Sequence, residues 1–541
     1  MYSGKENILQ LVGLLKQYNI CHIVVSPGSR NMPLAESFYC DSSFHCYSVT
    51  DERSAGFFAI GLILKLNCPV AICCTSGSAL LNYGSAISEA FYQELPLLVL
   101  SADRPQAWIG QMDGQTMQQT NLFGNMVKKE VNLPIVQNEE EKWYCNRLIN
   151  EALLSLTNTN SAPVHINIPI DEPFFDCSQE TLPTCRMIHR NRDIDKVWEM
   201  ACKPLIIVGQ LHPNESKLLS QTLDKLNCPI LSENIGNIGN SLNNIHLFDT
   251  ILIKSDETLN PDLVLYIGGH IVSKRLKNWL RKIQPKECWR VDTSNEIRDT
   301  FQCLTDIFDS SPADFLRELS PKTENNDYLT LWKNKNRQLE LQINNYDLSN
   351  SLTLNAIKQL ILKIPQGSAL FLGNSNTIRQ SQFFAPKEIS YFCNRGINGI
   401  DGSLSSAVGY ASINENLTFL IIGDLSFFYD MNALWNHPIS PQLRILLLHN
   451  KGGGIFRSLP GLNSSNAVKE LIITQNNVSA KGWAESVGIT YWQKDKKTFS
   501  EKIMDKFIAP NDSPILLELD CDSEESAQEY ARFIEYIREL N

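Results

Sequence analysis

The stretch LTFLIIGD (417–424) is a strongly apolar run that ends in a glycine and an aspartate. A second apolar run, LRILLLHN (443–450), follows about one α/β unit later and leads into Lys451-Gly452. Continuous apolar runs separated by helix-length segments are typical of parallel strands that are covered on both faces. Open α/β sheets bind ligands just beyond the carboxyl ends of their strands. The two runs therefore predict an α/β fold with a ligand site near Asp424 and Asn450.

Runs of the same kind recur along the chain in three series, separated by polar stretches at 177–198 and 320–349. The first series is CHIVVSPG (21–28), CYSV (46–49), VAICCTSG (70–77), LPLLVLSADRP (95–105) and PVHINIP (163–169). The second is PLIIVGQ (204–210), CPILSE (228–233), LVLYIGG (263–269) and CWRVD (288–292). The third is SALFLGNS (368–375), ISYFCN (389–394), the two opening runs and SPILLELD (513–520). We predict three α/β domains, each a doubly wound parallel sheet, at 1–178, 195–325 and 350–541.

The composition is that of a protein able to bury large cores, with 43% hydrophobic and 20% charged residues in 541. A net charge of −11 argues against general binding to nucleic acid or to anionic membranes. No apolar run approaches the ~18 residues of a membrane-spanning helix, so we predict no membrane span. The N-terminus has apolar residues at helical spacing and three charges, which predicts a packed helix and no signal peptide.

The fifteen cysteines are scattered and form no C-x-x-C pair, and the nine histidines form no metal-binding cluster. This pattern favours reduced thiols in a cytoplasmic protein over disulfides or a zinc site.

The strand ends at Asp424 and Asn450 supply oxygen ligands of the kind that Mg²⁺ prefers. A carboxylate, an amide oxygen and the Gly452 carbonyl would leave coordination positions for the oxygens of a diphosphate. The alternative is that these are ordinary turn residues, since Asp, Asn and Gly all favour turns. The glycines 452–454 lack the Lys-Ser/Thr of a P-loop.

Glu52 lies between a predicted strand at 46–49 and a predicted helix that runs to Leu66. It is either a functional carboxylate or an acidic residue that favours the helix N-terminus.

Arginines follow several predicted strands, where turn chemistry does not account for them. Arginine binds carboxylates in a bidentate manner, so the set favours an anionic site over separate surface ion pairs. Lys274 and Arg275 would add charge from the middle domain. The arginines of this set are Arg30, Arg104, Arg379 and Arg395.

Together these motifs resemble the thiamine diphosphate (ThDP) enzymes, and within them the synthases of menaquinone biosynthesis. Gly423-Asp424-Leu425 stands where a general ThDP enzyme more often has Gly-Asp-Gly, which favours these synthases. The resemblance spans the first and last domains and touches the middle one at SKRL (273–276). Its motifs are SPGSRNMPL (26–34), TDERSAGFFAIGL (50–62), CTSGSALLNY (74–83), LSADRP (100–105), LFLGNSNTIR (370–379), CNRGINGIDGSLSSAVG (393–409), GDLSFFYDMNAL (423–434) and NKGGGIF (450–456).

The resemblance implies a cofactor role for each outer domain. The first would bind the pyrimidine of ThDP, with Glu52 hydrogen-bonded to N1′, and the last would bind the diphosphate through Mg²⁺, or Mn²⁺ in its place. Ile455 would hold the cofactor in its V shape. The implied metal ligands are Asp424, Asn450 and Gly452, and the further cofactor contacts are Pro27, Gly423, Leu425, Ser426 and Phe456.

The resemblance also implies the substrates. Such an enzyme would decarboxylate 2-oxoglutarate and add the succinyl carbanion to isochorismate, and both substrates are dicarboxylates. The implied catalytic residues are Glu52, Gln115 and Arg395. The implied substrate contacts are Ser29, Arg30, Arg104, Gln115, Lys274, Arg275, Ser375, Arg379 and Arg395.

The glutamate and the metal ligands lie in different domains, and in this family two subunits complete one site. The resemblance therefore implies a homodimer or a homotetramer. Related enzymes carry FAD or a nucleotide on the middle domain, but PLIIVGQLHPNE (204–215) has no glycine fingerprint, so we predict none here.

Three alternatives remain open at this point. One is a ThDP-dependent decarboxylase or synthase of the acetolactate synthase type, which would prefer pyruvate. The second is a ThDP-fold scaffold without activity, which the presence of Glu52, Asp424 and Asn450 disfavours. The third, a nicotinamide dehydrogenase, lacks its glycine fingerprint.

Overall fold

The computed structural model describes the chain except residues 158–160, 240, 295, 324–325, 385–387, 436–437, 455–465 and 541, and it does not describe the side chains of 469, 523 and 540. Across these described residues, no helix has both the length and the apolar character needed to cross a membrane.

The first sheet has six parallel strands in the order β2-β1-β3-β4-β6-β5. They are β1 (His22–Val25), β2 (His45–Ser48), β3 (Val70–Cys74), β4 (Leu97–Asp103), β5 (Lys129–Asn132) and β6 (Val164–Pro169). The helices of this part of the chain are Glu6–Gln17, Met32–Tyr39, Glu52–Leu66, Ser78–Asn82, Gly84–Tyr92 and Glu139–Leu156.

The second sheet also has six strands, in the order β7-β12-β11-β10-β8-β9. They are β7 (His189–Arg190), β8 (Pro204–Val208), β9 (Ile230–Ser232), β10 (Leu263–Ile267), β11 (Glu287–Val291) and β12 (Asp306–Phe308). The helices of this region are Asp195–Met200, Pro213–Lys225, Phe248–Ile251, Lys274–Ile283, Pro312–Glu318 and Asp327–Asn345.

The third sheet repeats the strand order of the first, as β14-β13-β15-β16-β18-β17. Its parallel strands are β13 (Ala369–Leu372), β14 (Ser390–Phe392), β15 (Thr418–Gly423), β16 (Leu443–His449), β17 (Thr490–Lys494) and β18 (Ile515–Asp520). Its helices are Leu352–Lys363, Asn376–Ser381, Ser403–Ala411, Asp424–Tyr429, Lys481–Ser486, Glu501–Ile508 and the C-terminal helix Ser523–Leu540. The predicted fold class, α/β with three parallel sheets, is confirmed.

Both faces of the first sheet are buried, as the continuous apolar runs predict. Successive residues of a strand point to opposite faces. Ala71 and Cys73 of β3 pack in one core, whereas Val70, Ile72 and Cys74 pack in the other, and all five are fully buried. Helices therefore cover the sheet on both sides, which leaves the strand ends as the place for a site.

The chain divides into two compact units, one of residues 1–192 with 297–307 and one of residues 193–296 with 308–541. The polar stretch at 177–198, interpreted from sequence as a linker, contains β7 and the fully buried Trp198. The other polar stretch contains the predicted helix, Asp327–Asn345. The domain limits drawn from the sequence stay predictions.

Candidate active site

Four neighbouring strands of the third sheet lead into the residues predicted for the last domain. The order β14-β13-β15-β16 makes these strands a continuous part of the sheet. Because they are parallel, their carboxyl ends lie at one edge. Ser375 and Arg379 follow β13, Arg395 follows β14, Asp424 follows β15, and Asn450 and Gly452 follow β16. The fold thus brings residues from distant parts of the chain to a single sheet edge.

Asp424 is a buried carboxylate, with only 1% of its surface exposed. Its Oδ1 accepts a hydrogen bond from the Leu425 N–H at 2.7 Å, and its Oδ2 accepts one from the Gly452 N–H at 2.8 Å. Burial raises the pKa of this carboxyl, although both hydrogen bonds lower it. Within the described residues no lysine or arginine pairs with it, and its one ionic contact is with His449, 3.9 Å away. A buried carboxylate with so little positive charge beside it is suited to bind a cation.

The loop after β16 packs tightly around Asn450. Gly452 has φ of +139°, and a Cβ on it would lie 2.6 Å from the Ile473 carbonyl oxygen. A side chain at Gly452 would therefore require backbone movement, whereas a Cβ on Gly454 would lie 2.3 Å from Asn450 Nδ2 and would displace the Asn450 amide. Gly423 pairs with Leu448 in the sheet, so Asp424 and Asn450 leave neighbouring strands close together. Asp424, Asn450 and Gly452 therefore lie close together, and we call these three residues the cation corner.

A pocket of about 200 Å³ lies beside Arg379 in the second unit, and we call it the cationic pocket. Arg379 is half-buried and has no hydrogen-bond or ion-pair partner in the described part of the chain. Of the two acidic residues in its lining, Asp249 is already paired with Arg275. The charged residues of the pocket are Glu233, Asp249, Lys274, Arg275 and Arg379. The pocket is thus suited to an anionic ligand.

Ser375 has a backbone conformation that is rare for a residue with a side chain. Its φ is +76° and its ψ is −124°, directly before the helix Asn376–Ser381. Such strained positions cluster at functional sites, where the surrounding structure holds them in place. The substrate contact of Ser375 stays a prediction.

Arg395 is almost fully buried and is held by one hydrogen bond of its guanidinium group. Its Nη1 donates to Asn374 Oδ1 at 2.8 Å, whereas its buried Nε has no partner among the described residues. Asn374 is held in turn by hydrogen bonds from its Nδ2 to the carbonyls of Asn394 and Gly399. The side chain of Arg395 is therefore positioned by Asn374, and its substrate contact stays a prediction.

Glu233 holds the start of the helix that carries Lys274 and Arg275. Its two carboxylate oxygens accept hydrogen bonds from the N–H groups of Val272 and Ser273, both at 2.7 Å. Burial raises the pKa of Glu233 to about 7, although these two hydrogen bonds lower it. The charged groups that act on it are Asp249, which raises the pKa, Arg395, which lowers it, and Lys277.

This shift predicts a pH dependence of stability. The pKa of Glu233 rises from 4.5 to about 7, so the folded protein binds this proton more tightly than the unfolded chain does. The resulting stabilisation is complete below the unfolded pKa and is lost as the pH rises through 7. Between pH 4.5 and 7, the free energy of unfolding of the wild type should fall, relative to that of Glu233→Gln, by up to about 1.4 kcal/mol per pH unit. Melting temperatures of both proteins across the window check this, with the exposed Glu340→Gln as control. A constant difference between wild type and Glu233→Gln would contradict it.

In the first unit, the strand order β2-β1-β3-β4 places the predicted loops at one sheet edge. Glu52 is half-buried and is the first residue of the helix Glu52–Leu66. Asp51 caps that helix, because its Oδ1 accepts a hydrogen bond from the Ser54 N–H at 2.8 Å. The carboxylate of Glu52 is thus presented at a strand end by a fixed helix start.

Arg30 and Arg104 face one carboxylate, that of Glu172. Arg30 Nη2 lies 3.3 Å and Arg104 Nη1 3.6 Å from Glu172 Oε1, whose side chain is 68% exposed. Arg30 is otherwise buried and donates to the Ile170 carbonyl oxygen. An anionic substrate would compete with a partly exposed glutamate for both arginines.

The remaining predicted residues of the first unit lie in exposed loops. Pro27 and Ser29 are exposed after β1. Gln115 is also exposed, and its backbone lies against Gly77, where a Cβ would be 3.4 Å from the Gln115 carbonyl oxygen. The fold places Gln115 near the loop after β3, and its catalytic role stays a prediction.

The other predicted cofactor contacts lie beside Asp424 or outside the described residues. Gly423 and Leu425 flank Asp424, and Ser426 donates a hydrogen bond to the Ile400 carbonyl. Ile455 and Phe456 lie outside the described residues.

Comparison with known proteins identifies the family. Residues 9–125 match the thiamine pyrophosphate enzyme N-terminal TPP binding domain, and residues 175–372 match the middle domain of thiamine pyrophosphate. The chain is 44% identical to the 2-succinyl-5-enolpyruvyl-6-hydroxy-3-cyclohexene-1-carboxylate (SEPHCHC) synthase of Phocaeicola vulgatus, over 97% of both chains. The chain belongs to the SEPHCHC synthase family. Two further SEPHCHC synthases support this membership. The chain is 44% identical to that of Bacteroides thetaiotaomicron over 98% of both chains. It is 36% identical to that of Desulfotalea psychrophila over 96% of this chain and 99% of the relative.

Membership in the SEPHCHC synthase family confirms the resemblance that the motifs carry.

Three residues around the site were not predicted: Asn374, Glu233 and Tyr530. Asn374 and Glu233 each end an apolar run, so the rule that found Asp424 would have pointed to both. Tyr530 lies inside the C-terminal helix, where no sequence pattern distinguishes it from a packing residue.

Proposed function

We propose that this protein is a ThDP-dependent SEPHCHC synthase, a transferase of menaquinone biosynthesis. It decarboxylates 2-oxoglutarate and adds the remaining four-carbon unit to isochorismate. One observation carries the proposal: the cation corner with Asp424 lies at the same sheet edge as Arg379 and Arg395. Both arginines have donors that no described residue uses. That combination suits a diphosphate cofactor beside dicarboxylate substrates.

The residues of the third sheet fit a metal-bound diphosphate. Asp424 is buried without a lysine or arginine partner in the described chain, and Gly452 leaves no room for a side chain, because a Cβ there would meet the Ile473 carbonyl oxygen. Asp424, Asn450 and the Gly452 carbonyl would hold Mg²⁺, with Mn²⁺ as an alternative ion of similar coordination. Their oxygen ligands are of the type that either ion takes.

Glu52 would hold the aminopyrimidine and exchange a proton with it. Thiamine diphosphate, when bound, supplies the carbon nucleophile and the electron sink that decarboxylation of a 2-oxo acid requires. The carboxylate of Glu52 would hydrogen-bond the ring nitrogen N1′ and favour the protonated form of that nitrogen. Its place at the start of a capped helix fixes the backbone from which the carboxylate extends.

The cationic residues would bind the substrate carboxylates. Arg379 and Arg395 offer donors that no described residue uses, and Lys274 is exposed at the rim of the cationic pocket. Arginine recognises a carboxylate with two parallel hydrogen bonds, which fixes orientation as well as charge. Holding both substrates in one orientation supports the transfer, because it replaces an encounter in solution.

We further propose a homodimer or homotetramer. The helix that begins at Glu52 exposes apolar side chains on the face away from its own core, with Phe57 and Phe58 44% exposed and Leu64 62% exposed. An apolar helix face of this kind fits burial against a second copy, as the family resemblance implies. Sedimentation analysis would test this, and a monomer at micromolar concentration with full activity would contradict it.

The location that we propose is the cytoplasm. None of the fifteen cysteines forms a disulfide bond, including the exposed Cys40, Cys46 and Cys202. Thiols in this number agree with a reducing compartment. Labelling of the thiols in freshly lysed cells would test their reduced state.

The direct test is CO₂ release from 2-oxoglutarate with ThDP and Mg²⁺, in the presence and absence of isochorismate. We expect release that depends strongly on isochorismate and stops when a chelator removes the metal. Pyruvate in place of 2-oxoglutarate is the control for the acetolactate synthase type. Faster release from pyruvate would overturn the substrate assignment while leaving the cofactor assignment in place.

Arg395→Ala should mainly weaken substrate binding. The change removes an arginine that Asn374 holds in place, and Arg395 is not among the cofactor contacts that we propose. Loss of a charged hydrogen bond predicts an increase in KM of about 10- to 100-fold for one of the two substrates, with a smaller change in kcat. Steady-state kinetics for each substrate check this, and Arg395→Lys, which keeps charge but loses the planar fork, should show a partial effect. Unchanged KM and kcat for both substrates would reject the role.

A further inference from the structure

Tyr530 of the C-terminal helix borders two cavities at once. One is the cationic pocket, which contains Arg275 and Arg379. The other is lined by Gly423, Asn450 and Gly454, and we call it the loop cavity because it lies against the cation corner. Tyr530 is therefore a wall between the residues suited to substrate carboxylates and those suited to a metal-bound diphosphate.

One face of the C-terminal helix builds this wall. Ser526 and Ala527 line the loop cavity, and Ile534 lines the cationic pocket, with Tyr530 between them. Positions three and four residues apart lie on the same side of a helix, so the arrangement follows from helical geometry. The helix thus turns a single continuous face toward both cavities.

The hydroxyl of Tyr530 has no hydrogen-bond partner within the described residues, although the side chain is half-buried. The hydroxyls of the buried Tyr83 and Tyr328 donate hydrogen bonds to Ser26 Oγ and to the Leu259 carbonyl, whereas that of the buried Tyr391, which also lines a cavity, has no partner among the described residues. A half-buried phenol normally finds a partner, so an unused one beside a cavity indicates a ligand atom in that place.

The surroundings keep this phenol neutral and able to donate. Burial raises the pKa of Tyr530 to about 12, as does the charge of Asp249, whereas Arg379 and Arg275 lower it. At neutral pH the group is therefore an O–H donor beside two guanidinium groups. Because Arg275 is paired with Asp249, the open cation beside this donor is Arg379, and the two together favour an acceptor that is itself negatively charged.

We propose that Tyr530 is a further substrate-binding residue, whose hydroxyl donates a hydrogen bond to a carboxylate held by Arg379. The inference rests on the proposed function, since the ligand is a dicarboxylate substrate of that reaction. It assigns the C-terminal helix a part in specificity. A substrate without this carboxylate would leave the phenol and Arg379 without partners, and such unpaired buried groups are a strong source of discrimination.

The test compares Tyr530→Phe with Tyr536→Phe in the full-length protein. Both changes remove one oxygen from the same helix, but Tyr536 packs on Tyr346, with ring centroids 4.7 Å apart, and lines neither cavity. We expect Tyr530→Phe to raise the KM of one dicarboxylate substrate by about tenfold, as loss of one charge-assisted hydrogen bond predicts, with kcat changed less. Tyr536→Phe should stay within about twofold of wild type.

Calorimetry supplies a readout that does not need turnover. Succinate alone probes a donor carboxylate and isochorismate alone probes the acceptor, each with ThDP and Mg²⁺ present. One of the two affinities should fall about tenfold in Tyr530→Phe while ThDP binding is unchanged. Equal affinities for both probes in wild type and variant would overturn the proposal, as would a loss confined to ThDP.

The outcome also separates this proposal from the proposed function. If the wild type releases CO₂ in an isochorismate-dependent manner and Tyr530→Phe behaves as wild type, only the role of Tyr530 fails. If the wild type neither releases CO₂ nor binds either probe, the substrate assignment fails and the role of Tyr530 fails with it.

Discussion

Glu52→Gln is expected to lower kcat by about 10²- to 10⁴-fold while cofactor binding stays largely intact. The range is the usual contribution of a positioned acid–base group. Glutamine has the same shape but cannot take up the proton that the glutamate would exchange with the aminopyrimidine. The change should leave the fold undisturbed, because the helix start is held by Asp51 and not by the Glu52 side chain.

The measurement combines isochorismate-dependent CO₂ release with calorimetric titration of ThDP in the presence of Mg²⁺. Glu89→Gln is a suitable control, since Glu89 is an exposed glutamate on a neighbouring helix of the same unit. Full activity in Glu52→Gln would contradict the proposed activation of the cofactor. Loss of ThDP binding in step with activity would assign Glu52 to anchoring instead.

Asp424→Asn is expected to abolish turnover by a different route, through loss of the metal and with it the cofactor. The carboxylate is the single charged member of the ligand set that we propose. It is buried, and apart from His449 no described cationic side chain is close enough to balance its charge. We expect Mg²⁺-dependent ThDP affinity to fall by about 100-fold or more, because changes even to outer-shell partners of metal sites cost 10- to 100-fold. Calorimetry with and without Mg²⁺ measures this loss.

The matched control is Asp430→Asn, six residues further along. Asp430 also accepts a backbone hydrogen bond, from the Ser405 N–H at 2.8 Å, but it follows the helix that Asp424 begins. Cofactor binding in that variant should resemble wild type. Mg²⁺-dependent ThDP binding of normal strength in Asp424→Asn would remove Asp424 from the metal site.

The pair of variants separates activation from anchoring. Glu52→Gln should bind cofactor without turnover, whereas Asp424→Asn should fail to bind it at ordinary concentrations. The same outcome in both proteins would mean that the two carboxylates do not have the separate roles proposed here.

The apolar runs of the chain were sufficient to predict three parallel α/β layers and most of their strands. A strand buried on both faces must be apolar throughout, so it is visible in the sequence. The runs missed β5, β7, β12 and β17, and three of these, β5, β7 and β17, are edge strands. Edge strands such as KEVN and TYWQK carry polar and charged residues, which blurs the pattern.

The candidate site residues at the strand ends could also be predicted from the sequence. Asp424, Asn450 and the arginines directly follow apolar runs, so their place at a sheet edge follows from local sequence. Glu52 is similar, because it lies between a strand and a helix.

Tertiary structure decided which of these residues are neighbours and what else surrounds them. The order β14-β13-β15-β16 differs from the order along the chain, and pairing of distant segments sets it. Three examples join residues that are far apart in sequence. Glu233 holds the helix of Lys274, Asn374 supports Arg395, and Tyr530 lies between two cavities. Such contacts depend on how helices pack on sheets, which no local pattern encodes.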